Sequence, residues 1–395
     1  MAEPKVRFKK DDGSSYPAWN NKCFGDLFKK NNERNGNQFS EDRTISIASM
    51  SFNPNGNGAD TDSLSVYKVL RVGDVAFEGH ENKEFSHGRF VMNDIGDGIM
   101  SPRFSCMRPI VPMVSGFWKY YIHSEVVMRD ILIRSTKKGT MMHELVFEDL
   151  FKQSIDVPCL EEQQKIADFL SSVDEVISTS EQEVANLETQ KKAVMKKLFS
   201  QEVRFKRNDG TDFPGWEGKK LGDVGTVLMC KRVFKEQTDD EGDIPFYKIG
   251  TFGGTPDAYI SQELFDELKA KYSYPKKGNI LLSAAGTIGR AVVYNGEDAY
   301  YQDSNIVWLD HDETLSDEYL FQFYSMTSWD NLEGGTVKRL YNGILLDKDI
   351  GIPCLEEQHL IADFLSDFDE AIAAAKKELE LWKELKKGLL QQMFV

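Results

Sequence analysis

Arginine, lysine, glutamine and asparagine are the residues of this chain with the chemistry to meet a polyanion and read its base edges. Lys137-Lys138 precede Gly139-Thr140, and Lys338-Arg339 follow Gly335-Thr336, on matching loops. Lys231-Arg232 and Lys235 form another cluster, as do Lys276-Lys277 before Gly278. Arg89, Arg103, Arg108 and Arg290 complete the set. Arginine reads guanine through two hydrogen bonds, and glutamine or asparagine reads adenine in the same way. Arg290, Gln302 and Asn305 are therefore candidates for base contact, and the lysines for phosphate contact. Taken singly, each also reads as ordinary solvated surface charge. Tyr300 and Tyr301 fit a core and a stacking role equally.

Residues for covalent chemistry are missing in pattern. No Pro-Pro occurs, so the Asn/Asp-Pro-Pro-aromatic tetrapeptide of an adenine methyltransferase is absent. No G-x-x-x-x-G-K-[ST] loop exists to cradle ATP phosphates. Pro256-Asp257 with Glu267-Leu268-Lys269 mimics a nuclease metal motif, but the acid and lysine fall in a helical pattern rather than on a strand. The six histidines show no metal-ligand spacing. The expectation is a chain without catalysis, metal or cofactor of its own.

The elements that position these residues are repeated. IDVPCLEEQQKIADFLSSVDE (Ile155–Glu175) returns as IGIPCLEEQHLIADFLSDFDE (Ile350–Glu370), with 15 of 21 positions identical at an offset of 195. VRFKKDDGSSYPAW (Val6–Trp19) returns as VRFKRNDGTDFPGW (Val203–Trp216) at an offset of 197. A period of this length means two copies of a domain plus linker, not a solenoid.

Each longer repeat opens a helix. Pro158 and Pro353 set the entry turn, and Glu161, Glu162, Glu356 and Glu357 fall in the first turn, where the helix dipole favours negative charge. Apolar residues follow at Ile166, Leu170, Val173, Ile177, Val184, Leu187, Val194 and Leu198. The second copy gives Ile361, Leu365, Phe368, Ile372, Ala375, Leu379, Trp382, Leu389 and Met393. Steps of three and four predict a heptad seam, each helix being the other's partner. Packing on a globular domain alone does not call for so long a stripe. Lys191 and Lys386 interrupt the seam at matching positions.

A net charge of −16 argues against a simple nucleic-acid binder, whose footprint is basic. Part of the acidity lies in the helices, so any such contact comes from local clusters or a partner's field. No apolar run reaches membrane length, and the N-terminus has no signal-peptide core. Five widely spaced cysteines without a C-x-x-C pair read as reduced thiols of a cytoplasmic protein.

The expected organisation is a polar arm at 1–15 packing near the C-terminal helix, a domain at 16–154, a helix at 155–201, a second domain at 202–349 and a helix at 350–395. Both domains mix short strands with loops. YKVLRVGDVAF (Tyr67–Phe77) predicts two strands about a Gly73-Asp74 turn, and FSCMRPIVPM a further strand. In the second domain, SQELFDELKAKY and DEYLFQFYSM predict helices and NIVWLD a buried strand. Gly73-Asp74 and Gly278-Asn279 each precede a strand, which suggests diverged copies of one fold.

The arrangement resembles the specificity (S) subunit of type I restriction–modification enzymes, over the whole chain. The markers are the two PCLEEQ-x-x-IADFLS segments, GTIGR (Gly286–Arg290), YYQDSNIVWL (Tyr300–Leu309) and Ser101-Pro102 before a strand. The resemblance implies an α+β fold with two target-recognition domains separated by two long antiparallel coiled-coil helices, in a circular pseudo-two-fold repeat. It implies double-stranded DNA with a bipartite site as ligand, two methyltransferase subunits as partners, and motor-nuclease subunits joining through the complex. Glu161, Glu162, Gln163, Glu356, Glu357 and Gln358 are the expected partner-docking residues. A protein-interaction scaffold with two binding heads is the alternative.

Overall fold

A computed structural model describes residues 4–54, 61–329 and 339–394. The chain forms two compact units, Met1–Glu181 with Lys377–Val395, and Gln182–Lys376. The boundary between them falls inside both long helices, Leu160–Phe199 (the central helix) and Leu355–Met393 (the C-terminal helix).

In the first unit an antiparallel sheet has the spatial order Phe28–Lys30, Ser105–Pro109, Val75–Glu78, Arg89–Met92. A separate ladder pairs Asn20–Cys23 with Ser154–Val157, tying the start of the globular part to the entry of the central helix. Phe24, Phe28, Phe117, Trp118 and Tyr121 are fully buried beneath the sheet, together with Ile166 and Leu170 of the central helix. Met393 and Phe394 enter the same core, with the Phe394 ring 5.7 Å from Phe117 and 5.2 Å from Tyr121. The arm closes beside them: the Lys5 and Val6 amides donate to the Gln392 carbonyl.

The second unit repeats this plan. Its sheet runs Gly225–Leu228, Ile306–His311, Ile280–Ser283, Ala291–Val293, again antiparallel. Glu217–Lys220 pairs with Asp349–Ile352 as the entry ladder. Leu198, Ile361 and Leu365 join Tyr319, Leu320 and Phe323 in the core. The two strand-entry turns match closely. Gly73 (φ +88) donates to the Asn93 carbonyl, and Gly278 (φ +101) to that of Tyr294. Both backbones are left-handed there, a conformation glycine adopts without steric cost.

The predicted helices occupy Gln262–Lys271 and Asp317–Met326, and the predicted buried strand Ile306–His311. The strands on either side of Gly73-Asp74 do not pair with each other. Lys68–Leu70 pairs with Gly98–Met100, while Val75–Glu78 joins the main sheet. Two helices of the first unit, Ser115–Tyr121 and Glu125–Ser135, were not legible as such.

The long helices run antiparallel within each unit. Asp174 meets Lys386 at 2.5 Å and Glu181 meets Lys383 at 3.0 Å in the first. Glu188 meets Lys376 and Lys191 meets Asp369, both at 2.6 Å, in the second. The two lysines that interrupt the apolar stripe are therefore each neutralised by an aspartate of the opposite helix.

Candidate nucleic-acid interface

In the second unit several loops leave the main sheet at one end. They follow strands Gly225–Leu228 and Ile280–Ser283 and precede strands Ala291–Val293 and Ile306–His311. The loop Gln302–Asn305 is the centre of this rim. Arg232 Nε donates to Asp303 Oδ2 at 2.8 Å, and Arg339 Nη2 donates to the Ser304 carbonyl. Gln302 Oε1 accepts the Ile249 amide at 2.9 Å, which docks the Lys248–Gly254 loop. Arg290 Nη1 donates to the Phe252 carbonyl of that loop at 2.7 Å. Thus Arg232, Arg290, Gln302, Asn305 and Arg339 are brought to one end of one sheet. Lys231 joins them, its Nζ 5.0 Å above the Tyr272 ring.

The rim is basic but braced. Arg232 faces an acid, and three of the polar candidates spend contacts on holding loops. Gln302 in particular has one lone pair of its carbonyl committed to the Ile249 amide, so a two-bonded adenine contact would have to use the other. Exposed Phe234 and Tyr272 share an open cleft with Lys231 and Arg232. Burial pushes the nearby Cys230 thiol up to about 12, which leaves it protonated and non-nucleophilic at neutral pH.

Lys276 and Lys277, a separate basic cluster in the sequence, lie elsewhere than the rim. Their turn precedes strand Ile280–Ser283, so the antiparallel register places them at the opposite end of the sheet. Tyr300 and Tyr301 are buried core residues. Lys338, with the Gly335-Thr336 motif, lies outside the described residues.

The first unit has a corresponding rim. Arg89 begins a strand opposite Glu78, and Arg103 precedes the strand whose Ser105 faces Phe77. The hairpin Thr136–Lys138 and His143–Leu145 carries Lys137 and Lys138. The His143 amide donates to the Gly79 carbonyl at 2.7 Å, which sets this hairpin at the same end. A Cβ on Gly79 would lie 2.1 Å from the His143 carbonyl, so the approach requires glycine. Lys137 is exposed and meets Glu144 at 3.2 Å. His143, Lys138 and His87 hold Glu81 below the usual carboxylate range, the His143 hydrogen bond being the largest cause. Arg89 is half-buried and turned to the Ala48 carbonyl, Glu78 and the Phe85 ring, a packing role. Arg103 is exposed and lies over Phe104.

Four of the six expected docking residues point inward, which corrects that expectation. Glu162 and Glu357 have no accessible side-chain surface. Glu162 accepts from Arg7 and Trp19, and Glu357 from Arg204 and Trp216. Gln163 accepts from the Val114 amide and the Trp118 indole, and donates to the Pro158 carbonyl. Gln358 accepts from the Ser316 amide and donates to the Thr314 and Pro353 carbonyls. These side chains lock arm, domain and helix entry together. Glu161 and Glu356 remain exposed on the first turns, beside exposed Leu160 and Leu355. The Arg and Trp partners were visible in the shorter repeat, where both are kept at an offset of 197.

The nuclease-like residues do not converge. Glu267 and Lys269 lie on a helix, Lys269 pairs with Asp298, and Asp257 pairs with Lys248. Among the described residues there is no cluster of three or more metal-ligating side chains, and no helix long and apolar enough to cross a membrane.

Residues 118–189 and 214–381 match the family described as type I restriction modification DNA specificity domain. A Haemophilus influenzae protein, S.HindORF215P, is 56% identical over 178 residues, 42% of this chain; the chain spans about half of that relative (46%). The Methanocaldococcus jannaschii type I restriction enzyme MjaVIII specificity subunit is 27% identical over 297 residues, 68% of each chain. Two solved structures share the fold. One, from work on "complex assembly and conformational transition of the type I R-M system", has a TM-score of 0.57 at 20% identity, covering 96% of this chain and 98% of that one. The other, the type I restriction–modification S subunit from M. genitalium, has a TM-score of 0.56 at 13% identity, covering 100% and 99%.

Proposed function

Because the chain belongs to the family of type I restriction–modification DNA specificity domains, we propose that it is a DNA-recognition subunit that reads a bipartite site, one half-site per unit. The observation that carries this reading is the repetition of one sheet order in both units, each with a loop rim bearing arginine and lysine. In the second unit Lys231, Arg232, Arg290, Asn305 and Arg339 form the DNA-facing set, with Gln302 holding its loops. In the first, Arg103, Lys137 and Lys138 do so, with Arg89 as a brace. The lysines meet phosphates, which position the duplex, and the arginines and Asn305 meet base edges, which specify it.

Methyl transfer belongs to partner subunits, which bring S-adenosylmethionine and flip the target adenine. Two methyltransferase subunits dock at the repeated helix entries, through Leu160 and Glu161 on one and Leu355 and Glu356 on the other. Motor-nuclease subunits join through that complex. The acidic chain relies on its partners for much of the positive field that holds DNA.

The test is to express the chain with its methyltransferase and map methylated adenines genome-wide. Two short motifs separated by a fixed unread gap are expected. Methylation with no sequence preference, together with no sequence-dependent gel shift, would leave a protein-interaction scaffold as the better account.

A further inference from the structure

The two long helices are related by a constant shift of 195 residues. Under that shift their cross-helix ion pairs fall into two kinds. Lys191 with Asp369 and Asp174 with Lys386 map onto each other with residue types kept. Glu181 with Lys383 and Glu188 with Lys376 map onto each other with charges exchanged. The central helix thus supplies both glutamates, and the C-terminal helix both lysines.

We propose that this exchange makes the central helix accept the C-terminal helix and reject the central helix of a second copy of this chain. In a seam of two central helices with the same geometry, Asp174 would still meet Lys191. Glu181, however, would face Glu188 at two places. Two C-terminal helices would keep Asp369 with Lys386 but oppose Lys376 to Lys383. The apolar stripe is kept only in part: Ile166, Leu170 and Ile177 recur as Ile361, Leu365 and Ile372, while Val173, Val184 and Leu187 become Phe368, Leu379 and Trp382, so a test of the charges must leave the stripe unchanged in both proteins compared. The symmetric Lys–Asp pairs permit every pairing; the exchanged Glu–Lys pairs distinguish them. Flanking charges select coiled-coil partners by the same logic, since like charges exclude the wrong one. All four side chains are about half exposed, so each contact is weak and screened by salt. Like pairing loses two attractions and gains two repulsions, which together disfavour it by about tenfold or more at low ionic strength.

The test uses the full chain with a reporter, Val184→Cys. Residue 184 lies midway between Glu181 and Glu188, so two copies come together there only when central helix pairs with central helix. The variant E188K/K376E keeps opposite charges at both intrachain contacts yet gives each helix one charge of each sign, making like helices complementary. Both proteins are refolded from denaturant at tens of micromolar in low salt, oxidised, and mapped for the disulfide joining residue 184 of two copies. The expected result is about tenfold more of this product from E188K/K376E, with the gap closing in high salt. Equal amounts from both backgrounds would overturn the proposal. A stability cycle checks the contacts themselves: E181K/E188K should lower Tm at low salt, and adding K376E/K383E should restore it. A fourfold variant no more stable than E181K/E188K would equally overturn it.

Discussion

Arg7 Nε and Nη2 lie 3.0 and 2.8 Å from the two carboxylate oxygens of Glu162, across 155 residues of sequence. Trp19 Nε1 adds a third donor at 3.1 Å. Arg204, Trp216 and Glu357 repeat the clasp at 3.0, 2.7 and 3.0 Å. A carboxylate with no contact to water persists only when its lone pairs are filled by charged or polar donors. Glu162→Gln keeps the shape but strips the charge that holds the guanidinium. The expected loss is about 2–4 kcal/mol in the first unit, and Glu357→Gln should cost the second unit a similar amount. Hydrogen exchange of the Asn20–Cys23 and Glu217–Lys220 strands reports each unit separately. Changes below about 1 kcal/mol in both would mean the clasps are incidental.

Phe394 gives a sharper test of how the first unit is closed. It is fully buried against Phe117 and Tyr121, although it lies one residue past the end of the C-terminal helix. Phe394→Ala removes an aromatic ring from a core that cannot readily collapse, at a cost of about 3–5 kcal/mol. Phe394→Leu should recover most of that. Urea unfolding followed by the Trp118 environment checks both.

The parts legible in the sequence were those whose cause is local or repeated. The helices announced themselves through an apolar period, and the Gly73 and Gly278 turns through a residue suited to positive φ. Helices Ser115–Tyr121 and Glu125–Ser135 were hidden because they are rich in Trp118, Tyr120, Tyr121, Val126, Val127 and Ile131. Such side chains lose rotamer freedom in a helix, so tertiary burial decides their conformation. The site was legible in composition but not in placement. Lys231 and Lys276 look alike as sequence; only strand register sends them to opposite ends of a sheet. Glu161 and Glu162 are adjacent and identical, yet one faces solvent and the other is sealed, because a helix turns about 100° per residue.

Two histidines give opposite pH dependences. Burial holds His123 below its ordinary value, with its Nδ1 against the Phe90 carbonyl. The unfolded chain then takes up a proton that the folded one refuses, so stability falls as pH drops through about 6.5. For His311, burial opposes the charge, but the Asp317 carboxylate and the Asp312 carbonyl outweigh it and raise the pKa. Its contribution is fully present below about 6.5 and is lost as pH rises through the folded value. His123→Gln should flatten the acid side of the stability profile and His311→Gln the neutral side. Urea midpoints from pH 5.5 to 8 read both slopes; profiles unchanged by either substitution would remove these residues from the account.

The proposed DNA surface is tested most directly by comparing the two ends of one sheet. Lys231 and Arg232 stand on the rim, with Phe234 and Tyr272 beside them. Lys276 and Lys277 carry similar charge at the far end. A lysine on phosphate releases counterions when it binds, so its loss weakens binding to all sequences and lowers the salt slope by about one. Lys231→Ala should do this without altering the methylated motif. Arg232→Ala removes a side chain that braces Asp303 and that the proposed interface assigns to base edges, so it should relax the half-site of the second unit as well. Lys276→Ala with Lys277→Ala should change affinity by less than about twofold, since a diffuse charge effect falls off within a Debye length. The measurement is fluorescence anisotropy of the chain with its methyltransferase from 50 to 200 mM salt, a range over which phosphate contacts weaken steeply, paired with methylation mapping. If the far-end double variant weakens binding as much as Lys231→Ala, the interface is not the rim, and the second unit must present another face to DNA.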